Sequence, residues 1–477
     1  MTVTDTAQTR GHLAKLLGRE SLYMILYATQ LIFAALCTPL ITRVLGVGQY
    51  GTVTAAIAIH QVIFVFAGLS LQSAVQREYA ARRNPLGARR LTAAALLVAV
   101  AVTVLGWVTA AWWSAPLGLS GDLRPVRLGV LWAGAAAATA VTLALLRSQD
   151  RLAAFVSVTF FQSVVLNVAS LAAIHFYRPS AEVFLACAVG AQGAAALTGI
   201  LLARPAWTGW WQRDLLDRAL RFALPLVPAE MSTFLLNTSD RLIIGAQLSA
   251  EEVARYQVAY NVASMPMLLL SILNSAWMPR FFGIADETER RTAVAAGRDA
   301  LYRLMVPVLA GFAFGAPLVA HLWAPASYHT EQLGFVMALV LLAAIPFTAQ
   351  LAVVQALTAQ GRTVLTATAT ILAAVVNVLL NLLFVPVWGL AGAAGATLVA
   401  YGLLFLVLLA FGRGSAIPPT PVRIRLQLAL GVLLALGVAG LAETPLTLAI
   451  RWAGGATALV WFLLVLRGLR RDTRAVA

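Results

Sequence analysis

Residues 221–245 read RFALPLVPAEMSTFLLNTSDRLIIG, an apolar stretch long enough to cross a bilayer that nevertheless holds Pro225, Pro228, Glu230 and an adjacent Asp240 and Arg241. Whether this is a soluble core helix or a membrane span is decided by what surrounds it. The full chain of 477 residues is 61% hydrophobic and 11% charged, with a mean hydropathy of +0.84. Such values belong to a chain whose solvent is lipid.

A helix needs about 20 mainly apolar residues to cross the hydrocarbon core, and suitable windows follow one another almost end to end. Fourteen are read: 21–42, 51–75, 91–112, 125–146, 152–176, 181–203, 219–245, 255–279, 300–323, 332–357, 363–386, 389–411, 424–442 and 447–466. The runs are continuous rather than alternating, which excludes a β-barrel. Residues 1–20 carry Arg10, Lys15 and Arg19 without a short apolar core, so no removable signal peptide is expected. The expected fold is an all-α integral membrane protein of about 14 helices.

The net charge of +15 invites a nucleic-acid reading, but the arginines are spread through the loops rather than massed on one domain. With the N-terminus placed inside, 27 of the 34 Lys and Arg fall in the two tails and the even-numbered loops. This asymmetry predicts both termini in the cytoplasm. Cys37 and Cys187 lie in apolar spans, where a thiol acts as a small hydrophobe.

A weak internal repeat relates LGVGQYGTVTAAIA (45–58) to LSAEEVARYQVAYNVA (248–263), and VVLNVASL (164–171) to AVVNVLLNLL (374–383). Six spans intervene each time, so the repeat keeps its orientation and predicts two pseudo-symmetric six-helix lobes. The expected divisions are 1–210, 211–412, and 413–477 for two additional C-terminal helices and the tail. Dense small residues in WAGAAAATA (132–140), AVGAQGAAA (188–196) and WGLAGAAGA (388–396) predict close helix approach.

Several chemistries are missing from the sequence. Lys15 is the only lysine and no phosphate-binding loop surrounds it. The five histidines have no metal-ligand spacing, and no serine nucleophile elbow occurs. No metal and no cofactor is expected, and an enzyme reading is poor.

Within 221–245, Glu230 lies ~13 Å along the helix from Arg221 and Asp240 ~28 Å along. Glu230 is therefore near mid-membrane, where a carboxylate costs ~3 kcal/mol on insertion scales unless it meets protein or water. At 100° per residue, Glu230, Asn237 and Arg241 share one face within about 40°. Two prolines ahead of the carboxylate predict a broken helix lining a cavity. Two roles stand for Glu230: a functional carboxylate, or a hydrogen-bonded tie to a neighbouring helix. Polar stripes recur at Ser163 and Asn167 on the fifth span, Gln257, Asn261 and Ser264 on the eighth, and Asn377 and Asn381 on the eleventh. Each suits a polar lumen or helix–helix hydrogen bonding. Arg77 suits an anionic headgroup or a snorkelling side chain.

PLITRVLGVGQYG (39–51), LNTSDRLIIGAQLSAEEVARYQVAYNVASMPMLLLSILNSAWMPRFF (236–282) and NVLLNLLFVPVWGLAGAAGATLVAYG (377–402) resemble bacterial polysaccharide flippases of the Wzx type, within the multidrug/oligosaccharidyl-lipid/polysaccharide exporter superfamily. The resemblance runs over nearly the whole chain. It implies two lobes that rock around a central cavity and turn a polyprenyl-diphosphate-linked oligosaccharide from the cytoplasmic to the outer face of the plasma membrane. Arg43, Arg77, Arg241 and Arg280, with Asn237 and Asp240, are then the headgroup or gate candidates. Glu230 is the candidate coupling carboxylate, although it matches no family motif. Ala254 stands where such proteins commonly have glycine. Membrane lipids, a glycan polymerase and chain-length proteins are the expected partners. Alternatives are a drug exporter, a peptidoglycan lipid-precursor flippase, and a membrane glycan polymerase or ligase. The last of these should carry a large external loop, and the sequence has none.

Overall fold

The computed structural model describes residues 19–115, 122–282, 286–411, 419–439, 441 and 444–475, and every regular element among them is helical. In chain order these are α1 (Arg19–Gly68), α2 (Leu71–Ala80), α3 (Pro85–Val108), α4 (Ala110–Ser114), α5 (Leu123–Ser148), α6 (Leu152–Phe160), α7 (Leu166–Phe176), α8 (Ala181–Ala203) and α9 (Arg213–Ala223). They continue as α10 (Val227–Gln247), α11 (Ala250–Ala263), α12 (Met265–Phe282), α13 (Glu287–Trp323), α14 (Gly334–Ala359), α15 (Thr363–Phe411), α16 (Val422–Ala439) and α17 (Pro445–Ala475).

Among the described residues, ten helical stretches are long and apolar enough to cross a membrane, against fourteen spans read from the sequence. The difference lies in how spans are joined and broken. Two pairs of spans run together in α1, of 50 residues, and α15, of 49. A straight helix of that length would run ~74 Å, more than twice the ~30 Å of hydrocarbon. Each is kinked at one glycine, Gly46 (φ 71°, ψ 171°) and Gly389 (φ 56°, ψ −136°), in backbone regions that cost a side-chain-bearing residue dearly. The eighth span is interrupted at Ser264 between α11 and α12, and the thirteenth is the short α16.

Other departures from regular helix follow the residues that cause them. Pro225 enters the seventh span through a 3₁₀ turn, Leu224–Leu226, which accommodates the missing N–H. A π-helical turn, Phe161–Val165, separates α6 from α7. Leu69 (φ 45°) and Ser70 (φ 54°) are both left-handed and divide α1 from α2 inside a span the sequence reads as unbroken. Pro386 leaves the carbonyl of Leu382 without its helical donor, and the side-chain amide of Gln247 reaches it at 3.5 Å.

The chain separates into two compact units, Met1–Glu230 and Met231–Ala477, a division that falls within α10. In the first, α5 packs against α1, α3 and α8, and two glycines just outside the small-residue stretches read from the sequence stand at these contacts. A methyl group on Gly129 would stand 3.0 Å from the carbonyl oxygen of Ala56, and one on Gly199 would stand 2.3 Å from Thr142 Oγ1. Gln192 Nε2 donates to Thr139 Oγ1 at 2.9 Å between α8 and α5. In the second unit, α14 lies on α15, and α13 packs against α14, α16 and α17. Tyr256, Leu270, Met305 and Leu341 are among its buried side chains.

The glycine-rich segment after Pro386 gives a direct test. A Cβ at Gly392 would meet the Phe384 carbonyl oxygen at 2.3 Å, and Gly389 holds a positive φ, whereas Gly395 faces open space. Gly389→Ala and Gly392→Ala should each destabilise by roughly 1–3 kcal/mol, seen as a lower thermal unfolding midpoint in detergent. Gly395→Ala should leave the midpoint unchanged or raise it.

Candidate functional site

In the first unit, Glu230 is half-buried and accepts a hydrogen bond from Gln72 Nε2 at 3.3 Å. Gln72 stands in the opening turn of α2, directly after the left-handed Leu69 and Ser70. A helix interrupted at membrane depth therefore presents an amide to an intramembrane carboxylate. Irregular backbone at that depth is tolerated only against protein or a cavity.

Arg77 is exposed near the end of the same short helix, with its guanidinium 4.4 Å from the centre of the Phe222 ring. One face of the cation is thus held by an aromatic plane while the side chain remains solvent-accessible. Arg43 is exposed on α1, three residues ahead of the Gly46 kink. The side chain of Arg280 lies outside the described residues.

The second unit holds the Asp240–Arg241 pair, and both residues are buried. The two residues are only 2% and 4% exposed, and Arg241 Nη1 lies 2.6 Å from Asp240 Oδ1. Neighbours one apart on a helix do not face each other, so further partners hold the geometry. Asp240 Oδ2 accepts from the Tyr256 hydroxyl at 2.7 Å, and Oδ1 also accepts from the Arg241 backbone N–H at 2.9 Å. Arg241 donates from Nε to Gln257 Oε1 at 2.9 Å and from Nη1 to the Asn237 carbonyl. Its guanidinium stacks 4.1 Å above the Tyr260 ring.

The network extends at both ends. Gln257 Nε2 donates to Asn261 Oδ1 at 2.7 Å, and the Tyr401 hydroxyl donates to Asn237 Oδ1 at 2.8 Å. Helices α10, α11 and α15 are tied together by one connected set of polar side chains. Sequence reasoning placed Asn237, Asp240, Arg241, Gln257 and Asn261 among the candidates and missed Tyr256, Tyr260 and Tyr401. A buried tyrosine needs a partner for its hydroxyl, and the spacing YQVAYN set two of them beside the polar stripe.

The remaining candidates are dispersed. Ser239 Oγ donates to Asn377 Oδ1 at 3.3 Å, and Asn381 Nδ2 donates to the Asn377 carbonyl at 2.9 Å. Both asparagines are fully buried. Asn167 Nδ2 donates to the Ser163 carbonyl at 2.8 Å, satisfying backbone at the π-helical turn. Ser264 supplies the break between α11 and α12. The structure thus brings Gln72 to Glu230 in one unit, and Asn237, Asp240, Arg241, Gln257 and Asn261 together in the other.

A family model described as polysaccharide biosynthesis protein matches residues 18–285, more than half of the chain. The chain belongs to the polysaccharide biosynthesis protein family. Solved structures extend the likeness over the remainder of this family member. The lipid II flippase MurJ in an inward closed conformation is similar with a TM-score of 0.71 at 12% identity, over 95% of this chain and 99% of the other. An inward-facing multidrug resistance MATE transporter of the MOP superfamily has a TM-score of 0.59 at 16% identity, over 83% and 95%. The bent form of the Vibrio cholerae MATE transporter VcmN scores 0.55 at 16% identity, over 85% and 98%. At these identities the likeness establishes a shared fold. No curated protein matches the chain at a significant level.

The buried pair is the element whose energetics can be tested. Removing one partner of a buried pair strands the other charge and costs roughly 3–5 kcal/mol, whereas deleting one hydrogen bond to it costs about 1–3 kcal/mol. In thermal unfolding of the detergent-solubilised protein, Asp240→Ala should therefore be more damaging than Tyr256→Phe. The double substitution Asp240→Leu with Arg241→Met should lose less than the sum of its parts.

Proposed function

We propose that this member of the family moves a polyprenyl-diphosphate-linked oligosaccharide from the cytoplasmic to the outer face of a bacterial plasma membrane, in the biosynthesis of a cell-surface polysaccharide. The observation that carries this reading is the joint one: membership of the family, together with a fold shared end to end with a protein titled as a lipid II flippase. The chemistry is consistent. The sugar and diphosphate cannot enter hydrocarbon, whereas the polyprenyl tail need not leave it, so only the headgroup requires a polar path.

The residues divide between two tasks. Arg43 and Arg77 are exposed arginines, and a guanidinium suits a diphosphate. Glu230, with Gln72 on the broken helix, is the candidate coupling carboxylate. Arg241 is buried and held by Asp240, Gln257 and Asn237 and serves the frame rather than the headgroup. The path is exposed alternately to each side, with both termini in the cytoplasm as the arginine distribution implies. A glycan polymerase and chain-length proteins would act on the delivered units. Export of a drug is the second reading, favoured by the MATE matches.

Purified protein in liposomes, loaded with a fluorescent polyprenyl-diphosphate oligosaccharide, tests the reading through access of a membrane-impermeant glycosidase to the sugar. The lipid should equilibrate between leaflets faster than in protein-free liposomes. Glu230→Gln, which keeps an acceptor for Gln72 and removes the charge, should slow it about tenfold, the order expected when a charged hydrogen bond becomes a neutral one. A rate equal to protein-free liposomes, with a fluorescent drug cation transported instead, would transfer the protein to the export reading.

A further inference from the structure

Three helices of the second unit, α13, α16 and α17, meet at a cavity of about 360 Å³ whose lining includes Arg303, Arg423, Gln427 and Trp461. That volume lies within the range of small-ligand sites. In α13, Arg303 is followed by the twenty residues 304–323, which contain no Asp, Glu, Lys or Arg, the length of one hydrocarbon crossing. Arg423 stands in the first turn of α16, and Trp461 lies less than two turns before Arg467 on α17. The cavity therefore sits where three spans pass from hydrocarbon into the polar interface.

The polar side chains of this lining are unused by the protein. Arg303 and Arg423 are exposed and Gln427 and Trp461 half-buried, and none of the four makes a hydrogen bond or ion pair among the described residues. Elsewhere in the unit arginines find acids: Arg255 pairs with Glu252, and Asp299, one turn before Arg303, is held by Arg298 at 2.8 Å. Residues 413–477 carry eight arginines against Glu443 and Asp472 alone, so this part of the chain supplies little counter-charge. Two guanidinium groups on one cavity repel each other unless an anion joins them, and neither they nor an indole N–H can accept a hydrogen bond. Next to the lining residues in sequence, Leu426 and Leu430 on α16 and Val460, Leu463 and Leu464 on α17 are exposed large apolar side chains. Such neighbours suit acyl chains rather than water.

We propose that this cavity is a phosphate-binding site in which Arg303 and Arg423 hold the headgroup of an anionic membrane phospholipid, with Gln427 and Trp461 as further donors. Arginine is suited to phosphate oxygens, basic pockets between membrane helices take acidic headgroups, and tryptophan settles at headgroup depth. This assignment requires only that the chain be embedded in a membrane and does not depend on which substrate is translocated.

The test is the thermal unfolding midpoint of the full chain in dodecyl maltoside, titrated separately with phosphatidylglycerol and with inorganic phosphate. A ligand that binds only the folded state raises the midpoint with concentration, and at about ten times the dissociation constant a site weakened tenfold keeps roughly a third of that rise. Phosphatidylglycerol should raise the midpoint, and Arg303→Gln and Arg423→Gln should each cut the rise to about that extent. Both arginines are exposed and unbonded, so the midpoint without ligand should stay at the wild-type value. Arg425→Gln removes the same charge from an exposed position of α16 outside the cavity lining and should keep the full rise. Inorganic phosphate without effect would identify the lipid as the ligand. A rise with inorganic phosphate that is lost in both cavity variants would uphold the site for the free anion. A rise that falls equally in Arg425→Gln, a rise undiminished in Arg303→Gln and Arg423→Gln, or no rise in wild type with either ligand would overturn the proposal.

Discussion

Hydrocarbon offers no hydrogen bonds, and this constraint shapes the molecule more than any single contact. Every backbone group at membrane depth has to be satisfied by the chain itself, so regular helix is the default, and several departures from it have an identifiable local cause or partner. The carbonyl orphaned by Pro386 meets Gln247. The π-helical turn draws on Asn167. Buried hydroxyls return to the preceding turn, as Thr92 does to Ala88 and Thr348 to Ala344. A buried ion pair is tolerable under the same rule because tyrosine, glutamine and asparagine complete its coordination.

The architecture was legible because membrane spans advertise themselves by composition over about 20 residues. Positions such as 125–146 and 181–203 lie within observed helices at nearly the expected limits. Joints were less legible. A single glycine replaces the loop expected near 46 and near 389, since hydropathy records how apolar a segment is and not where its backbone turns. The left-handed pair Leu69 and Ser70 carried no proline or glycine of its own and was read as continuous helix.

For the candidate residues, the helical-face argument put several members of one hydrogen-bonded network together and missed how they divide. Glu230, Asn237 and Arg241 do share a face of one helix, yet Glu230 bonds to Gln72 whereas Asn237 bonds to Tyr401, each with its own unit. Angular position on a helix does not say which neighbour lies opposite. Nor does it show that Arg241 would be consumed by the structure while Arg77 remains accessible. The distinction between a buried, partnered cation and an exposed one depends on partners far away in sequence.

The one-residue joint at Gly389 has a consequence for how this chain can vary in length. Asn377 and Asn381 precede the glycine in α15, and Tyr401 follows it. A helix turns 100° and advances 1.5 Å for each residue, and no loop stands between the two halves to absorb a change. Inserting or deleting one residue there would turn the Tyr401 hydroxyl about a quarter of the way round its helix, away from Asn237. Length changes at this joint, and at Gly46, act on helix phase, so these one-residue joints should tolerate insertion or deletion poorly.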